Sequence, residues 1–332
     1  MPSFNYKWVV FSFCIFYEVE KRMKINRILV TGRLYREIEE RLSGKLNKEL
    51  LCLPEDAVSK ESLQWADAYV AFKPTANFDF YNIKWVHCLA AGVDGFLFQR
   101  SWKEDVLLTR TICSFGKMIS EYCLSYILAS LQQHDLLRKQ QEKHLWQPVV
   151  PISMEGQNIF ILGTGVIGQE LAKSLSLFGA KITGISLSGA NKSYFNKVIK
   201  LNDIKTELPK ADWIISTLPL TEDTYELIDE KVFFHSKQAA FINVGRGKTV
   251  KTAALLEALE RGYIREAVLD VVAIEPLPKD SPLWSHPKIK ITPHIAAVTS
   301  VEEGVKCFLE TLSLLENDPA ILPNKVDIKR GY

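Results

Sequence analysis

The stretch from Asn158 to Phe178, NIFILGTGVIGQELAKSLSLF, decides the fold of this protein. Apolar, β-branched residues lead directly into Gly163, Gly165 and Gly168, and a segment with helical spacing follows. Glycines alone are also common in ordinary strand-to-helix turns. A G-x-G-x-x-G between a strand and a helix is nevertheless typical of dinucleotide binding, because backbone N–H groups at the helix N-terminus face the pyrophosphate. We therefore predict a nucleotide-binding loop formed by Gly163, Thr164, Gly165, Val166, Ile167 and Gly168.

Short apolar runs alternate with amphipathic, helix-compatible segments on both sides of this stretch. The series before it starts at Arg27 with RILVTG, and the series after it ends with KITP at residues 290–293. Such alternation is typical of parallel sheets covered by crossover helices, so we predict an α/β protein with two doubly wound parallel sheets. Residues 118–143 contain no Gly or Pro and predict one long helix. The helical pattern after residue 300 is expected to pack back on the first sheet.

The bulk composition limits the classes of protein to consider. The 332 residues are 47% hydrophobic and 24% charged, and the formal net charge of +2 is spread along the whole length. This is the composition of an ordinary globular protein, and the lack of a basic block argues against a nucleic-acid partner. The six cysteines are scattered singly without metal-ligand spacing, so we expect no metal site.

The N-terminal residues are interpreted separately. The apolar run from Trp8 to Phe16 is too short to span a bilayer, and it lacks the basic start and small-residue cleavage site of a signal peptide. We therefore expect a cytoplasmic protein with no membrane segment. Because Met23 directly precedes the first predicted strand, residues 1–22 are interpreted as an upstream extension or a misassigned start.

The end of the second strand after the loop bears on the choice of nucleotide. Sites that prefer NAD usually carry an Asp or Glu there, which accepts the ribose 2′-hydroxyl. Here the strand KITGIS ends at Ser186, and no carboxylate occurs from Ser186 through Ser188 to Lys192. Nothing in this segment repels a 2′-phosphate, and Lys192 adds a positive charge. The sequence favours NADP(H) beside Ser186 and Ser188; if these are merely solvated loop residues, NAD(H) is the alternative.

Three later segments each place a polar side chain just past an apolar strand. These are FINVGRG with Arg246, LDVVAIEP with Glu275, and KITPH with His294. Taken singly, Arg246 also fits a surface cation, Glu275 a turn carboxylate and His294 a core imidazole. Residues that follow the carboxyl ends of strands in a doubly wound sheet converge on the ligand crevice, so we expect the three to meet there.

Taken together, these segments resemble the D-isomer-specific 2-hydroxyacid dehydrogenases. That family has a G-x-G-x-x-G near the middle of its sequence, an Asn-x-x-Arg-Gly, an acid before Pro and a Thr-Pro-His, and all four occur here in this order. The stretch from Glu275 to Thr299 and the LWQP at residues 145–148 are similar to the glyoxylate/hydroxypyruvate reductase A branch. The resemblance implies a homodimer and a Rossmann NAD(P)-binding domain, residues 118–298, inserted in a flavodoxin-like substrate domain, residues 23–117 with 299–332.

The same resemblance implies roles for further residues. Backbone N–H groups of Ala91 and Gly92 would hold the substrate carboxylate, although a plain turn is the alternative for this loop. Trp146 and Trp284 would wall the substrate pocket unless they are simply core residues. Asp270 would orient the nicotinamide carboxamide. The remaining residues expected to line the cofactor are Leu218, Pro219, Thr224 and Val244.

These residues predict reduction of a small 2-oxo acid, of the glyoxylate or hydroxypyruvate type, to the D-2-hydroxy acid. Hydride delivery to a ketone carbon leaves a developing alkoxide, which needs a proton donor and a nearby positive charge. His294 is the expected acid, with Glu275 favouring its imidazolium form. Arg246 offers a planar fork for the substrate carboxylate.

Two rival functions share this fold and these motifs. A 3-phosphoglycerate dehydrogenase would need extra cations in the first domain, and the candidates are Lys73, Arg100 and Lys103. All three are equally consistent with charged residues of solvated loops. A nucleotide-sensing binding protein resembling the C-terminal-binding-protein corepressors would carry the same trio without turnover. The sequence contains no low-complexity tail, which argues against the second rival.

Overall fold

A computed structural model describes residues 23–318 and 321–332 of the protein. The interpretation of residues 1–22 as an extension lies outside the described residues. Within the described ranges the strands form a five-stranded and a seven-stranded sheet, and every strand pair in both sheets is parallel. The predicted fold class is confirmed. In the same part of the protein, no helix is long and apolar enough to cross a membrane.

The first sheet comes from the N-terminal third of the sequence. Its strands are β1 (Arg27–Thr31), β2 (Glu49–Leu53), β3 (Ala68–Ala71), β4 (Trp85–Cys88) and β5 (Leu107–Arg110), and its helices are α1 (Tyr35–Leu42), α2 (Lys60–Trp65) and α3 (Asp94–Leu97). The strand order is β2-β1-β3-β4-β5, the flavodoxin-like order. All four residues of β3 and of β4 are buried, as expected for central parallel strands covered on both faces.

The second sheet follows two connecting helices. The strands are β6 (Asn158–Leu162), β7 (Lys181–Ser186), β8 (Lys197–Lys200), β9 (Trp213–Ser216), β10 (Ala239–Asn243), β11 (Ile264–Leu269) and β12 (Ile289–Ile291). The helices are α4 (Phe115–Leu131), α5 (His134–Glu142), α6 (Val166–Ser176), α7 (Ile204–Glu207), α8 (Glu230–Phe233) and α9 (Thr252–Glu260). The strand order is β12-β11-β10-β9-β6-β7-β8, so the direction of winding reverses between β6 and β9. Doubly wound sheets bind their ligands in the crevice at such a reversal.

The side chains of β6 show why this sheet is buried on both faces. Phe160 and Leu162 pack into the core on one face, whereas Ile159 and Ile161 pack into the core on the other. Strand side chains alternate between faces, so a continuous apolar run supplies both cores at once. The loop after β6 is thereby anchored by a strand with no solvent-exposed face.

The C-terminal helix α10 (Val301–Asn317) returns to the first sheet. Its N-cap Ser300 accepts a hydrogen bond from the backbone N–H of Glu303 at 3.2 Å. Phe308 stacks on Trp85 of β4 with ring centroids 5.4 Å apart, and Leu312 and Leu315 belong to the same core as β1. The backbone therefore leaves the first sheet, builds the second, and comes back. The boundaries at residues 117/118 and 298/299 stay predictions.

Two details of the secondary structure differ from the sequence predictions. The predicted single helix over residues 118–143 is wrong: α4 ends at Leu131 and α5 starts at His134, because Gln133 adopts a left-handed backbone with φ of 57°. Strand β8, KVIK, was not predicted. Its lysines lie exposed at the edge of the sheet, and a four-residue run with charged ends carries too weak a pattern to identify from sequence.

Candidate active site

The three glycines of the loop after β6 have different structural roles. Gly163 has φ of 103°, which L side chains rarely adopt. A Cβ on Gly168 would lie 2.0 Å from the carbonyl oxygen of Gly163, so this glycine lets α6 pack against the end of the strand. A Cβ on Gly165 would meet nothing within 4 Å. The protein itself does not need a glycine at 165, and the open space beside it is where a bound pyrophosphate would lie.

The start of α6 offers donors to that space. Gly165 is the N-cap residue, and it has no side chain that could cap a helical N–H group. Val166, in the first turn, is 72% exposed. Thr164 is buried and packs toward Gly184 of β7, so the loop is held from behind. Ile167 packs against the core that α4 and α6 share. These residues fit a dinucleotide phosphate, because unpaired N–H groups at a helix N-terminus attract anions.

The ends of β7 and β8 form the neighbouring part of the crevice. Ser186 Oγ accepts a hydrogen bond from the N–H of Gly189 at 3.1 Å, and Ser188 Oγ accepts one from Ala190 at 3.2 Å. These bonds shape a tight turn without a carboxylate. Lys200 of β8 is the register partner of Ser186 and packs its stem toward Gly189. The sequence pattern indicated Lys192 as the nearby cation but not Lys200, because strand pairing decides which lysine lies beside Ser186.

Two further strand ends carry the remaining residues expected to line the cofactor. Leu218 and Pro219 follow β9, where Thr224 closes a turn by donating to the carbonyl oxygen of Pro219 at 2.6 Å. Val244 follows β10 and is largely buried, and its N–H donates to Ser216 at 3.0 Å. The structure thus brings these residues to the carboxyl edge of the sheet, after β9, which is next to β6, and after β10, which is next to β9.

His294 and Glu275 form a hydrogen-bonded pair at the same edge. His294 Nδ1 lies 2.8 Å from Glu275 Oε2, and the side chains are 46% and 37% exposed. Burial by itself raises the pKa of Glu275, but the hydrogen bond and charge of His294, the N–H of Val272 and the charge of Arg246 together lower it below its usual value. Glu275 is therefore a carboxylate at neutral pH. With Nδ1 paired to it, Nε2 of His294 is the ring nitrogen left for a substrate.

Asp270 holds the turn that carries His294. Its carboxylate accepts hydrogen bonds from the hydroxyl of Thr292 at 2.6 Å and from the N–H groups of Ile295 and Ala296 at 2.8 and 3.0 Å. The N–H of His294 also donates to the carbonyl oxygen of Asp270, at 2.9 Å. Three of the carboxylate's acceptor positions are used inside the protein. Its expected contact with the nicotinamide carboxamide stays a prediction.

Arg246 reaches across to the first sheet. Its Nε donates to Asp94 Oδ1 at 2.7 Å, and Nη1 donates to the carbonyl oxygen of Gly245 at 2.8 Å. Asp94 and Arg246 are each 24% exposed. A Cβ on Gly92 would lie 1.6 Å from Arg246 Nη2, so the guanidinium occupies the space that a side chain there would need. Arg246 thus lies directly against the loop of Ala91 and Gly92.

Arg110 is a second cation beside that loop, and no sequence motif indicates it. It ends β5, and its Nη1 donates to the carbonyl oxygen of Ala91 at 3.1 Å. Burial lowers the pKa of this guanidinium, which nevertheless stays fully protonated. The TICS segment that follows Arg110 carries no recognisable pattern, and only the pairing of β4 with β5 places the arginine there.

The two tryptophans are largely exposed in the single protein molecule. Trp146 is 98% exposed and follows α5 on the outside of the molecule. Trp284 is 55% exposed, and its indole N–H donates to the carbonyl oxygen of Pro278 in its own loop at 2.9 Å. Their role as pocket walls stays a prediction. Among the described residues, no group of three or more His, Cys, Asp or Glu side chains is arranged to hold a metal ion.

Comparisons with known proteins identify relatives of this chain. The family model described as "D-isomer specific 2-hydroxyacid dehydrogenase, NAD binding domain" matches residues 124–296. The chain is 31% identical over 259 residues to a glyoxylate/hydroxypyruvate reductase A from Salmonella heidelberg, covering 76% of this chain and 82% of that protein.

Two solved structures share the fold over nearly the whole length. A D-isomer specific 2-hydroxyacid dehydrogenase family protein from Aeromonas salmonicida is 32% identical with a TM-score of 0.81, and the alignment covers 92% of this chain and all of that one (100%). An NADPH-dependent glyoxylate/hydroxypyruvate reductase from Sinorhizobium meliloti, in complex with NADP and sulfate, is 27% identical with a TM-score of 0.83, at coverages of 92% and 100%.

Proposed function

Because the chain belongs to the D-isomer-specific 2-hydroxyacid dehydrogenase family, we propose that it reduces a small 2-oxo acid of the glyoxylate or hydroxypyruvate type to the D-2-hydroxy acid. The protein is therefore an NAD(P)-dependent oxidoreductase, as the members of this family are. The meeting of the His294–Glu275 pair with Arg246 at the carboxyl edge of the second sheet supports reduction of a 2-oxo acid. The observation that carries the narrower substrate class is the 31% identity to a glyoxylate/hydroxypyruvate reductase A.

The cofactor is NADP(H). The related reductase from Sinorhizobium meliloti is NADPH-dependent and was solved with NADP, in agreement with the preference inferred from Ser186. In the present protein, the Ser186–Gly189 turn carries no acid, and Lys200 lies beside it in register. The open space beside Gly165 and the free N–H groups of α6 fit the pyrophosphate. When bound, NADPH supplies the hydride that reduces the carbonyl carbon.

In the proposed mechanism, His294 supplies the proton. As negative charge develops on the substrate carbonyl oxygen, the imidazolium gives up its Nε2 proton to that oxygen, and the imidazole left behind keeps its Nδ1 hydrogen bond to Glu275. Glu275 holds the ring through the 2.8 Å contact at Nδ1, which leaves Nε2 for the substrate oxygen. The pair then regains a proton from solvent.

Arg246 and the loop after β4 hold the substrate carboxylate in this proposal. The guanidinium lies directly against Gly92. A carboxylate bound beside this contact would be reached by Nη2 and by the backbone N–H groups of Ala91 and Gly92. Such charge-assisted bonds are strong and directional, so they select a 2-oxo acid over a simple ketone.

The phosphoglycerate alternative has less support. Two of the three cations that a phosphate would need already lie beside acids of their own domain: Lys73 is 3.4 Å from Glu55, and Lys103 is 3.5 Å from Asp105. These ion pairs are largely exposed, so they hold the ammonium groups only weakly. Lys73 packs beside Gly95, next to Asp94, but its ammonium group pairs with Glu55. We do not propose this second function.

The first test is a spectrophotometric assay of the full-length protein. Loss of reduced-nicotinamide absorbance is followed with glyoxylate and with hydroxypyruvate, using NADPH and NADH in parallel. We expect both acids to be reduced, faster with NADPH, and the glycerate formed from hydroxypyruvate to be the D enantiomer on a chiral column. The His294→Ala variant serves as the matched control for contaminating reductases.

Three outcomes would contradict the proposal. NADPH binding without turnover on a panel of 2-oxo acids would favour a nucleotide sensor. Turnover of 3-phosphoglycerate far exceeding that of D-glycerate in the oxidative direction would favour the phosphoglycerate alternative. Formation of L-glycerate would contradict the assigned stereochemistry.

The homodimer expected from the resemblance is supported by an exposed apolar stretch. Within residues 136–152 several large apolar side chains face solvent: Leu136, Leu137, Leu145, Trp146, Val150 and Ile152. Several exposed apolar side chains within one short segment are typical of a protein interface. Sedimentation analysis should give twice the mass of one protomer, and Trp146→Ala should weaken association. A monomer at all concentrations would rule the dimer out.

A further inference from the structure

The ion pair between Asp94 and Arg246 joins the two sheets at the cleft. Asp94 is the first residue of α3, next to the loop after β4, whereas Arg246 follows β10 of the second sheet. The Nε to Oδ1 distance is 2.7 Å, and each side chain is 24% exposed. The contact is therefore largely shielded from water, unlike the ion pair of Lys103 with Asp105 in the same domain, whose side chains are 46% and 73% exposed.

This contact determines which N–H donors of Arg246 remain. A guanidinium has five N–H donors. Asp94 takes the one on Nε and the carbonyl oxygen of Gly245 takes one on Nη1. Among the described residues, three donors stay available: the second N–H of Nη1 and both N–H groups of Nη2. Nη2 is the atom that lies against Gly92.

The lack of a side chain at Gly92 is explained by the same contact. A Cβ there would lie 1.6 Å from Arg246 Nη2, 2.5 Å from its Cζ and 2.9 Å from Asp94 Oδ1. Glycine at 92 thus makes room for the pair itself. Asp94 in the first domain fixes Nε of Arg246, and the carbonyl oxygen of Gly245 fixes Nη1. Nη2 is left pointing at the loop of Ala91 and Gly92.

We propose that Asp94 is a positioning residue that holds Arg246 across the cleft with its Nη2 corner presented to the substrate carboxylate. The inference rests on the proposed function, in which Arg246 binds that carboxylate. An arginine with a free side chain would lose rotamer freedom each time it bound substrate. Asp94 removes this cost, since the guanidinium is already oriented before the substrate arrives.

The test compares Asp94→Ala and Asp94→Asn with wild type, using Asp105→Asn as the matched control. Loss of one hydrogen bond to a charged group corresponds to roughly a tenfold change in affinity. In Asp94→Ala we expect KM for glyoxylate to rise about tenfold, with a smaller fall in kcat. The Kd for NADPH and the melting temperature should stay at wild-type values. Asn should restore part of the loss, because its amide oxygen still accepts from Nε.

A second readout separates this inference from the proposed function. Calorimetry on the NADP complex measures the Kd of oxalate, an unreactive dicarboxylate. If wild type reduces no 2-oxo acid but binds oxalate, and Asp94→Ala binds it about tenfold more weakly, the proposed function fails and the role of Asp94 stands. If neither the wild type nor the Asp94 variants bind oxalate, both the proposed function and the role of Asp94 are contradicted.

Other results would overturn the role of Asp94 alone. With an active wild type, an unchanged glyoxylate KM and oxalate Kd in Asp94→Ala would show that Arg246 needs no support. A matching loss of NADPH affinity and melting temperature would show a general structural role, as would an Asp94→Asn variant with no recovery. An effect of the same size in Asp105→Asn would trace the change to surface charge.

Discussion

The phosphate loop and the catalytic cleft are built in different ways. The residues from Gly163 to Gly168 form one strand-to-helix connection. The positive φ of Gly163 and the close contacts of Gly163 and Gly168 involve only this connection and the end of the adjoining β9. The cleft combines Arg246, Glu275 and His294 from three separate loops with Gly92 and Asp94 from the other sheet. The predicted pyrophosphate site is thus locally encoded, whereas the chemistry depends on how the two sheets face each other.

The largest expected effect is confined to the cleft. Changing His294 to Ala removes the proton donor and should lower kcat by roughly two to four orders of magnitude, the usual contribution of a general acid. The Kd for NADPH, measured by fluorescence titration, should not change, because the loop is independent of the cleft. Full activity in this variant would remove His294 from the mechanism, and a parallel loss of NADPH binding would show that the two regions are coupled.

A pair of glycine variants probes the loop in the same way. Ala at 165 meets no protein atom, so Gly165→Ala should keep the melting temperature but weaken NADPH binding roughly ten- to a hundredfold, because the methyl group occupies space needed by the phosphate. Ala at 168 collides with the carbonyl oxygen of Gly163, so Gly168→Ala should cost about 3 kcal/mol of stability. Calorimetric melting and nucleotide titration of both variants check this. Equal behaviour of the two would contradict the separate roles of these glycines.

A smaller effect, and a dependence on pH, is expected at Glu275. The lowered pKa of Glu275 means that its carboxylate stays charged at every pH above its ordinary value of 4.5 and for some distance below it. In Glu275→Gln a neutral amide replaces the carboxylate, so the charge-assisted hydrogen bond that holds the His294 ring is weakened and kcat for reduction should fall about tenfold at neutral pH. Because the titrating carboxyl is gone, the loss of activity that protonation of Glu275 causes in wild type below pH 4.5 should be absent in the variant. A pH profile of Glu275→Gln that is parallel to wild type would leave Glu275 a purely structural partner.

The smallest expected effect is at the ribose end of the loop region. Placing a carboxylate there by Ser186→Asp should shift the ratio of kcat/KM for NADPH over NADH toward NADH by roughly tenfold, since the acid repels a 2′-phosphate and accepts the 2′-hydroxyl. Steady-state kinetics with both nucleotides measure the shift, and Ser186→Asn, which has the size of the introduced Asp without its charge, serves as the control. An unchanged ratio in Ser186→Asp would show that the 2′-phosphate is bound elsewhere, with Lys200 the next residue to change.

The features that could be predicted from the residues alone are local ones. The apolar run of β6, the three glycines and the start of α6 are adjacent in the sequence, so their pattern predicts both the fold class and the nucleotide site. The positions of Arg246, Glu275 and His294 after apolar runs also predicted that the three would converge, since the carboxyl ends of parallel strands share one edge. Such convergence requires only that the strands be parallel.

The remaining features depend on contacts between distant segments, which only the folded protein brings together. The left-handed backbone at Gln133 breaks a helix that the residue pattern predicts as continuous. Lys200 lies beside Ser186 because β8 pairs with β7, and Asp94 meets Arg246 because the two sheets face each other across the cleft. Asp94 and Arg246 are 152 residues apart. No periodicity or local motif connects positions at that separation, so the orientation of the substrate-binding arginine belongs to the tertiary structure.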